Sequence, residues 1–160
     1  VQTLTLLPMN SGNFDEAKRM MERSFASTMD DVPEHSGSNI GPDDLPSIDG
    51  VLEDKQATPL VFYLEAKMVG GAVVILKEDY NNELNLLFVD QDHLDKGIGY
   101  RAWVEIEKKF PETKTWTTVT PPCLMRNVYF YVNKCGFHII RIDGPKTDDP
   151  MFVFQKVMKN

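Results

Sequence analysis

Apolar residues recur along this chain with two periods, and the changes of period mark out its elements. Thr3 to Leu7 has a short β-like pattern and stops at Pro8. Phe14, Ala17, Met21 and Phe25 then fall on one helical stripe, with Asn13 as N-cap and Glu16 three residues on. Asp15–Arg19 and Lys18–Glu22 are spaced to pair on the outside of that helix. Residues 26–57 keep neither period, and Pro33, Gly37, Gly41, Pro42 and Pro46 interrupt them. A short helix fits over 42–48; otherwise the segment reads as a solvated loop region or as a wall over a substrate site. From Pro59 the period is that of strands: Leu60 to Leu64, Val69 to Leu76, and Glu83 to Val89, joined by short polar turns as in an antiparallel meander. Asp90 to Lys96 is polar, Gly97-Ile98-Gly99 is a turn, and Tyr100 to Phe110 reads as a helix. A strand over 114–120 completes a parallel strand–helix–strand crossover. A helix over 124–133 and strands over 136–142 and 151–158 follow. The order predicts an α/β protein of the α+β type, a mixed and mostly antiparallel sheet with helices packed on it.

Composition narrows the class. At 160 residues, 42% apolar and 26% charged, the chain suits one globular domain spanning 1–160. No apolar run approaches the roughly 20 residues of a membrane span, and no leader pattern opens the chain, so no membrane partner is expected. The two cysteines, Cys123 and Cys135, form no CxxC or Cys/His ligand set. Neither a metal site nor a disulfide framework is expected, and the default compartment is the cytoplasm. A net charge of −7 argues against nucleic-acid binding. Eight acids and no Lys or Arg lie between Ala26 and Asp54, while the remainder holds sixteen acids against seventeen bases.

The strand–glycine–helix junction at 83–110 carries the chemistry, because such a turn aims unpaired N–H groups and a helix dipole at an anion. Gly97-Ile98-Gly99-Tyr100-Arg101-Ala102 matches GxGxxA as letters. A dinucleotide turn, however, begins almost at the strand end, with an acid about 20 residues on for the ribose. Here seven residues separate Val89 from Gly97, and the later position is Thr117. No Gly-Lys-Ser/Thr suggests a P-loop. Leu94-Asp95-Lys96-Gly97-Ile98-Gly99, after a strand ending Phe88-Val89, instead resembles motif A of the GCN5-related N-acetyltransferase (GNAT) family. Arg126-Asn127-Val128-Tyr129-Phe130-Tyr131 through Cys135-Gly136-Phe137 resembles its motif B. The resemblance implies the acyl-CoA N-acyltransferase fold, with helices on both faces of the sheet.

It also implies acetyl-CoA as cosubstrate. Its pyrophosphate is expected on the backbone of Leu94, Asp95, Lys96, Gly97, Ile98, Gly99 and Tyr100, with both glycines clearing space for it. Its pantetheine arm is expected along Leu87, Phe88 and Val89, with Asn127 touching that arm. The first motif position, usually Arg or Gln, is Leu94 here, and Asp90, Asp92 and Asp95 face a single Lys96; the three acids are expected to point to solvent. Direct transfer to an amine needs a base and a proton for the leaving thiolate, and no Cys-His or Ser-His-Asp set is evident. Glu83, fourteen residues before Gly97, stands where histone-modifying relatives place a glutamate base. Strand alternation would put it on one face with Asn85 and Leu87; the other reading is a solvent-facing strand-start glutamate. Tyr131 resembles the motif-B tyrosine that protonates the thiolate, and otherwise reads as a core aromatic. It stands five residues before Gly136 where many relatives have four, which predicts a small bulge. Thr118 and Thr120 are further candidates for lining the site; His35, His93 and His138 read as structural. The leading reading is an N-acetyltransferase acting on a small-molecule or peptide primary amine, cationic if the acidic segment walls its site. The alternative is a non-catalytic acyl-CoA-binding sensor or interaction domain that keeps the same fold. Sheet edges and family habit lead to the expectation of a homodimer.

Overall fold

The computed structural model describes residues 2–30 and 46–159. Strand β1 (Leu4–Pro8) leads into helix α1 (Phe14–Asp30). The capping chemistry differs from the expected box. Asn10 Oδ1 accepts the N–H groups of Gly12 (2.8 Å) and Asn13 (3.2 Å), while the Asn13 side chain turns back to the Asn10 N–H (2.8 Å) and the Pro8 carbonyl (3.3 Å). Residues 31–45, which hold the start of the expected 42–48 helix and most of the acidic segment, lie outside the described residues. From Pro46 the chain runs without helix to a single 3-10 turn at Val51–Glu53. Lys18 reaches across to Asp49 at 2.7 Å rather than pairing along its own helix.

Strands β2 (Ala57–Leu64), β3 (Lys67–Ile75) and β4 (Asn81–Val89) form the antiparallel meander that the short turns require. Helix α2 (Ile98–Lys109) then crosses to β5 (Thr115–Thr120), which runs parallel to β4. Helix α3 (Met125–Tyr129) passes into a π-helical turn, Phe130–Lys134, before β6 (His138–Asp143) and β7 (Met151–Val157). The seven strands lie in the order β1-β2-β3-β4-β5-β7-β6.

Helix α1 covers one face, where Ala17, Met20 and Met21 pack on Val61, Met68, Val73, Leu86 and Phe88. Helices α2 and α3 cover the other, where Ala102, Trp103, Ile106 and Val128 pack on Leu60, Val74, Leu84 and Trp116. Trp103 is the hub of that side. Its ring meets Trp116 edge-on at 5.2 Å and Phe137 at 5.3 Å, fixing α2 against β5 and the start of β6.

Two irregularities position the site. Val73 stands opposite Leu86 and Val74 opposite Leu84, so Asn85 is a bulged extra residue on β4. The bulge flips the alternation: Leu84 faces α2, whereas Leu86 and Phe88 face α1 and Leu87 and Val89 turn to the α2 side. The second is a parting of strands. β4 and β5 pair only over Asn81–Glu83 and Thr115–Thr117, and beyond Leu84 the β4 backbone has no strand partner on that side.

Candidate active site at the parting of two strands

The loop after β4 is shaped by two left-handed residues, Asp95 (φ 62°) and Gly97 (φ 75°). Gly97 is the N-cap of α2 and no side chain caps that helix, so the first α2 amides, those of Ile98, Gly99 and Tyr100, lack intrahelical acceptors. A Cβ on Gly97 would meet no heavy atom within 4 Å, so the requirement there is the positive φ, and the space beside it is open. Gly99 has a different reason. A Cβ there would sit 3.2 Å from the Phe130 ring, so this glycine lets the π turn after α3 close on α2 rather than clearing room for a ligand.

The loop acids are not all turned to solvent. Asp90 is 4% exposed, and its carboxylate takes His93 Nδ1 at 3.1 Å and Arg23 at 3.7 Å, tying the end of β4 to α1. Asp95 is exposed and meets Arg126 of α3 at 2.7 Å, whereas Asp92 and Lys96 are exposed.

Beside the parted strands lies a cavity of about 450 Å³. Its walls are the end of α1 (Phe25, Met29), the bulge (Asn85 to Leu87), β5 (Thr118 to Thr120) and the turn after it, and the approach to β7 (Asp148 to Met151). Among the sequence-derived candidates it collects Leu87, Thr118, Thr120, Asn127 and Tyr131. Phe88 points instead into the α1-side core, and Val89 packs on the α2 side beside Gly99.

Glu83 is not brought to the cavity. The bulge puts it opposite Ile75, on the face away from Leu87, and its carboxylate is bonded to Lys77 at 2.8 Å with nearly half the side chain exposed. The expectation that it shares a face with Leu87 assumed unbroken alternation, and Asn85 breaks it.

Tyr131 is held by three rings, Phe130 at 5.3 Å, Phe137 at 5.6 Å and Phe154 at 5.7 Å, with Thr118 at its hydroxyl. Thr118 Oγ1 spends its own proton on the Leu84 carbonyl at 2.9 Å, so it accepts from Tyr131. Burial, and to a lesser degree the nearby Cys135 thiol, raises the Tyr131 pKa well above that of an ordinary phenol. The side chain is therefore a proton donor at neutral pH. The extra residue before Gly136 appears as the π turn, closed by Cys135 N–H to the Phe130 carbonyl at 3.0 Å.

Thr118 and Thr120 are buried site residues that the sequence singles out only weakly. The available signal was their alternation with Trp116, which places two hydroxyls on the buried face of β5. Asn127 Nδ2 reaches Thr120 Oγ1 at 3.4 Å, joining that strand to α3. Nothing local in the sequence announces that Asp148 to Met151 returns to this wall. Among the described residues no group of three or more His, Cys, Asp or Glu side chains is placed to hold a metal ion, and no helix is long and apolar enough to cross a membrane.

Cys135, behind Tyr131, has its thiol pushed up to about 12 from an ordinary 9.0, chiefly by burial, with Lys156 opposing and Glu107 adding to the rise. Above pH 9 the unfolded thiol ionises while the folded one does not, so stability is lost as pH rises from about 9 toward 12, at up to about 1.4 kcal/mol per unit. Between pH 9 and 10 the melting temperature of Cys135→Ala is expected to fall less steeply than that of the parent. Equal slopes would contradict the assignment.

Comparison with known proteins agrees with this architecture. The chain is 36% identical to the uncharacterized Bacillus subtilis protein YrkN, over 90% of this chain and 88% of that protein. An acetyltransferase from Thermus thermophilus superposes with a TM-score of 0.76 at 18% identity, covering 98% of this chain and 97% of that one. PaiA N-acetyltransferase from Thermoplasma acidophilum, solved with coenzyme A, gives 0.74 at 14% identity, covering 98% and 99%. The sequence model of the acetyltransferase (GNAT) family matches residues 19–137, and the chain belongs to that family.

Proposed function

We propose that the protein transfers the acetyl group of acetyl-CoA directly to the primary amine of a cationic acceptor seated in the 450 Å³ cavity. One observation carries this reading. The cavity that holds Tyr131 lies against β4 beyond Leu84, where the side toward β5 has no strand partner, and the same strand leads through one loop into the uncapped start of α2. The open side of Gly97 suits a phosphate group, and the free strand edge suits an amide-bearing arm. A relative of the same fold solved with coenzyme A supports that choice of cosubstrate. When bound, acetyl-CoA supplies a thioester whose carbon accepts the amine nitrogen while the electron pair of the C–S bond goes to sulfur.

The remaining work belongs to the chain. Tyr131, kept protonated by burial, offers its proton toward the sulfur once its hydroxyl turns from Thr118. Asn127 orients the arm from the opposite bank. Asp148 and Asp149 stand on the cavity wall, attract the ammonium group, and pass its proton to water at the mouth. They take the role first ascribed to the acidic segment: Asp43 and Asp44 lie outside the described residues, and Asp49 is engaged by Lys18. Glu83 is left with Lys77 and no part in the transfer.

Steady-state kinetics with a polyamine such as spermidine test the acceptor half. The double variant Asp148→Asn/Asp149→Asn is expected to raise the amine KM about five-fold with kcat and the acetyl-CoA KM nearly unchanged, the scale of one or two exposed charge contacts. An unchanged amine KM would remove the two aspartates from the acceptor site.

A further inference from the structure

The loop that should hold a pyrophosphate carries Leu94 where its family places a cation or an amide, and its own charges favour a negative sum. The structure shows where the compensation comes from. Asp90 is turned inward, hydrogen-bonded to the His93 ring and ion-paired with Arg23, which removes one negative charge from the loop mouth. Asp95, 82% exposed at its side chain, meets Arg126 Nη2 at 2.7 Å. Asp95 belongs to the β4–α2 loop and Arg126 to the first turn of α3, which follows β5. Because β4 and β5 part beyond Glu83 and Thr117, this ion pair links the two banks of the gap, with its loop partner two residues before Gly97.

Resting on the acetyl-CoA reading above, we infer that Arg126 is the cation Leu94 fails to provide, held on Asp95 in the free protein and transferred to the cofactor pyrophosphate on binding. Three properties suit that exchange. A guanidinium presents paired donors that match two phosphoryl oxygens as readily as a carboxylate. The pair is exposed on both sides, at 53% and 82%, and an exposed pair is held weakly. Asp95 also sits in the left-handed region of the loop with its carboxylate exposed, so letting go of Arg126 leaves no buried charge behind. Arg126 immediately precedes Asn127, so one turn of α3 delivers a charge for the phosphates and an amide for the arm.

Calorimetric titration with CoA, dephospho-CoA and pantetheine tests the assignment without reference to turnover. Arg126→Ala is expected to weaken CoA and dephospho-CoA alike, by about ten-fold, and to leave pantetheine unchanged. Asp95→Asn, which a left-handed position tolerates, is expected to tighten both nucleotides about two-fold, because Arg126 no longer has to leave a carboxylate. Melting temperatures of both variants should stay near the parent value, since both side chains are exposed. Unchanged CoA affinity in Arg126→Ala overturns the inference. So does a loss confined to CoA, which would move the guanidinium to the 3′-phosphate, and an equal loss for pantetheine, which would make Arg126 structural. A parent protein that binds none of the three overturns the acetyl-CoA reading itself.

Discussion

Tyr131→Phe is expected to lower kcat for acetyl transfer about 100-fold while the affinity for CoA stays within two-fold of the parent. The way the hydroxyl is held makes it the proton donor. Three aromatic rings fix the phenol beside the cavity, and its proton points to Thr118, whose own proton is committed to the Leu84 carbonyl. Removing the hydroxyl therefore strands no donor: Thr118 keeps its bond, and the lost interaction costs about 1 kcal/mol of stability. The catalytic cost is larger because a thiolate leaving into an apolar cavity has lost the group that protonates it. The raised pKa also bears on the pH profile. An ordinary phenol would begin to lose its proton near pH 10, whereas the buried one holds it further, so no alkaline fall in kcat from Tyr131 is expected below that point. A kcat equal to the parent's with a raised amine KM would assign the hydroxyl to acceptor binding instead.

Trp103→Ala is expected to cost about 4 kcal/mol of folding free energy, measured by urea denaturation, and to abolish measurable CoA binding in what remains folded. Trp103 is 1% exposed and joins α2 to Trp116 on β5 and to Phe137 ahead of β6. Without it, the start of α2 loses the support that fixes the loop at 94–100. Trp103→Phe separates packing from polarity. The indole Nε1 is buried with no hydrogen-bond partner, so phenylalanine removes volume but also an unsatisfied donor. Its cost is expected to be about 1–2 kcal/mol, well below that of alanine. A Trp103→Phe loss as large as that of alanine would show that ring shape, rather than burial, holds α2 in place.

Much of the fold can be read directly from the chain. The periods at 60–64, 69–76 and 83–89 lead to β2, β3 and β4, and Pro121-Pro122 ends β5 as a proline pair should. The spacing of Tyr131 from Gly136 pointed to an irregularity, and the π turn supplies it. What stays hidden has a common physical origin. Leu84-Asn85-Leu86-Leu87-Phe88 is apolar toward both faces, so no polar position marks where the alternation changes phase, and Glu83 ends on the unexpected side. The inward turn of Asp90 depends on Arg23, and the acidic wall depends on Asp148 and Asp149, both brought in from distant parts of the sequence. Gly99 looks like its neighbour Gly97 in the sequence, yet it answers to Phe130 rather than to a ligand. Local pattern specifies elements well; it does not report which loop will stand across from which.

Release of free thiol from acetyl-CoA, followed in the presence and absence of spermidine and other primary amines, tests the central claim most directly. The account predicts amine-dependent release with one acetylated amine formed per thiol, and neither product when the amine is omitted. Tight binding of CoA with no release across the amine panel would contradict it, and would leave the chain as an acyl-CoA-binding protein that keeps the fold without the reaction.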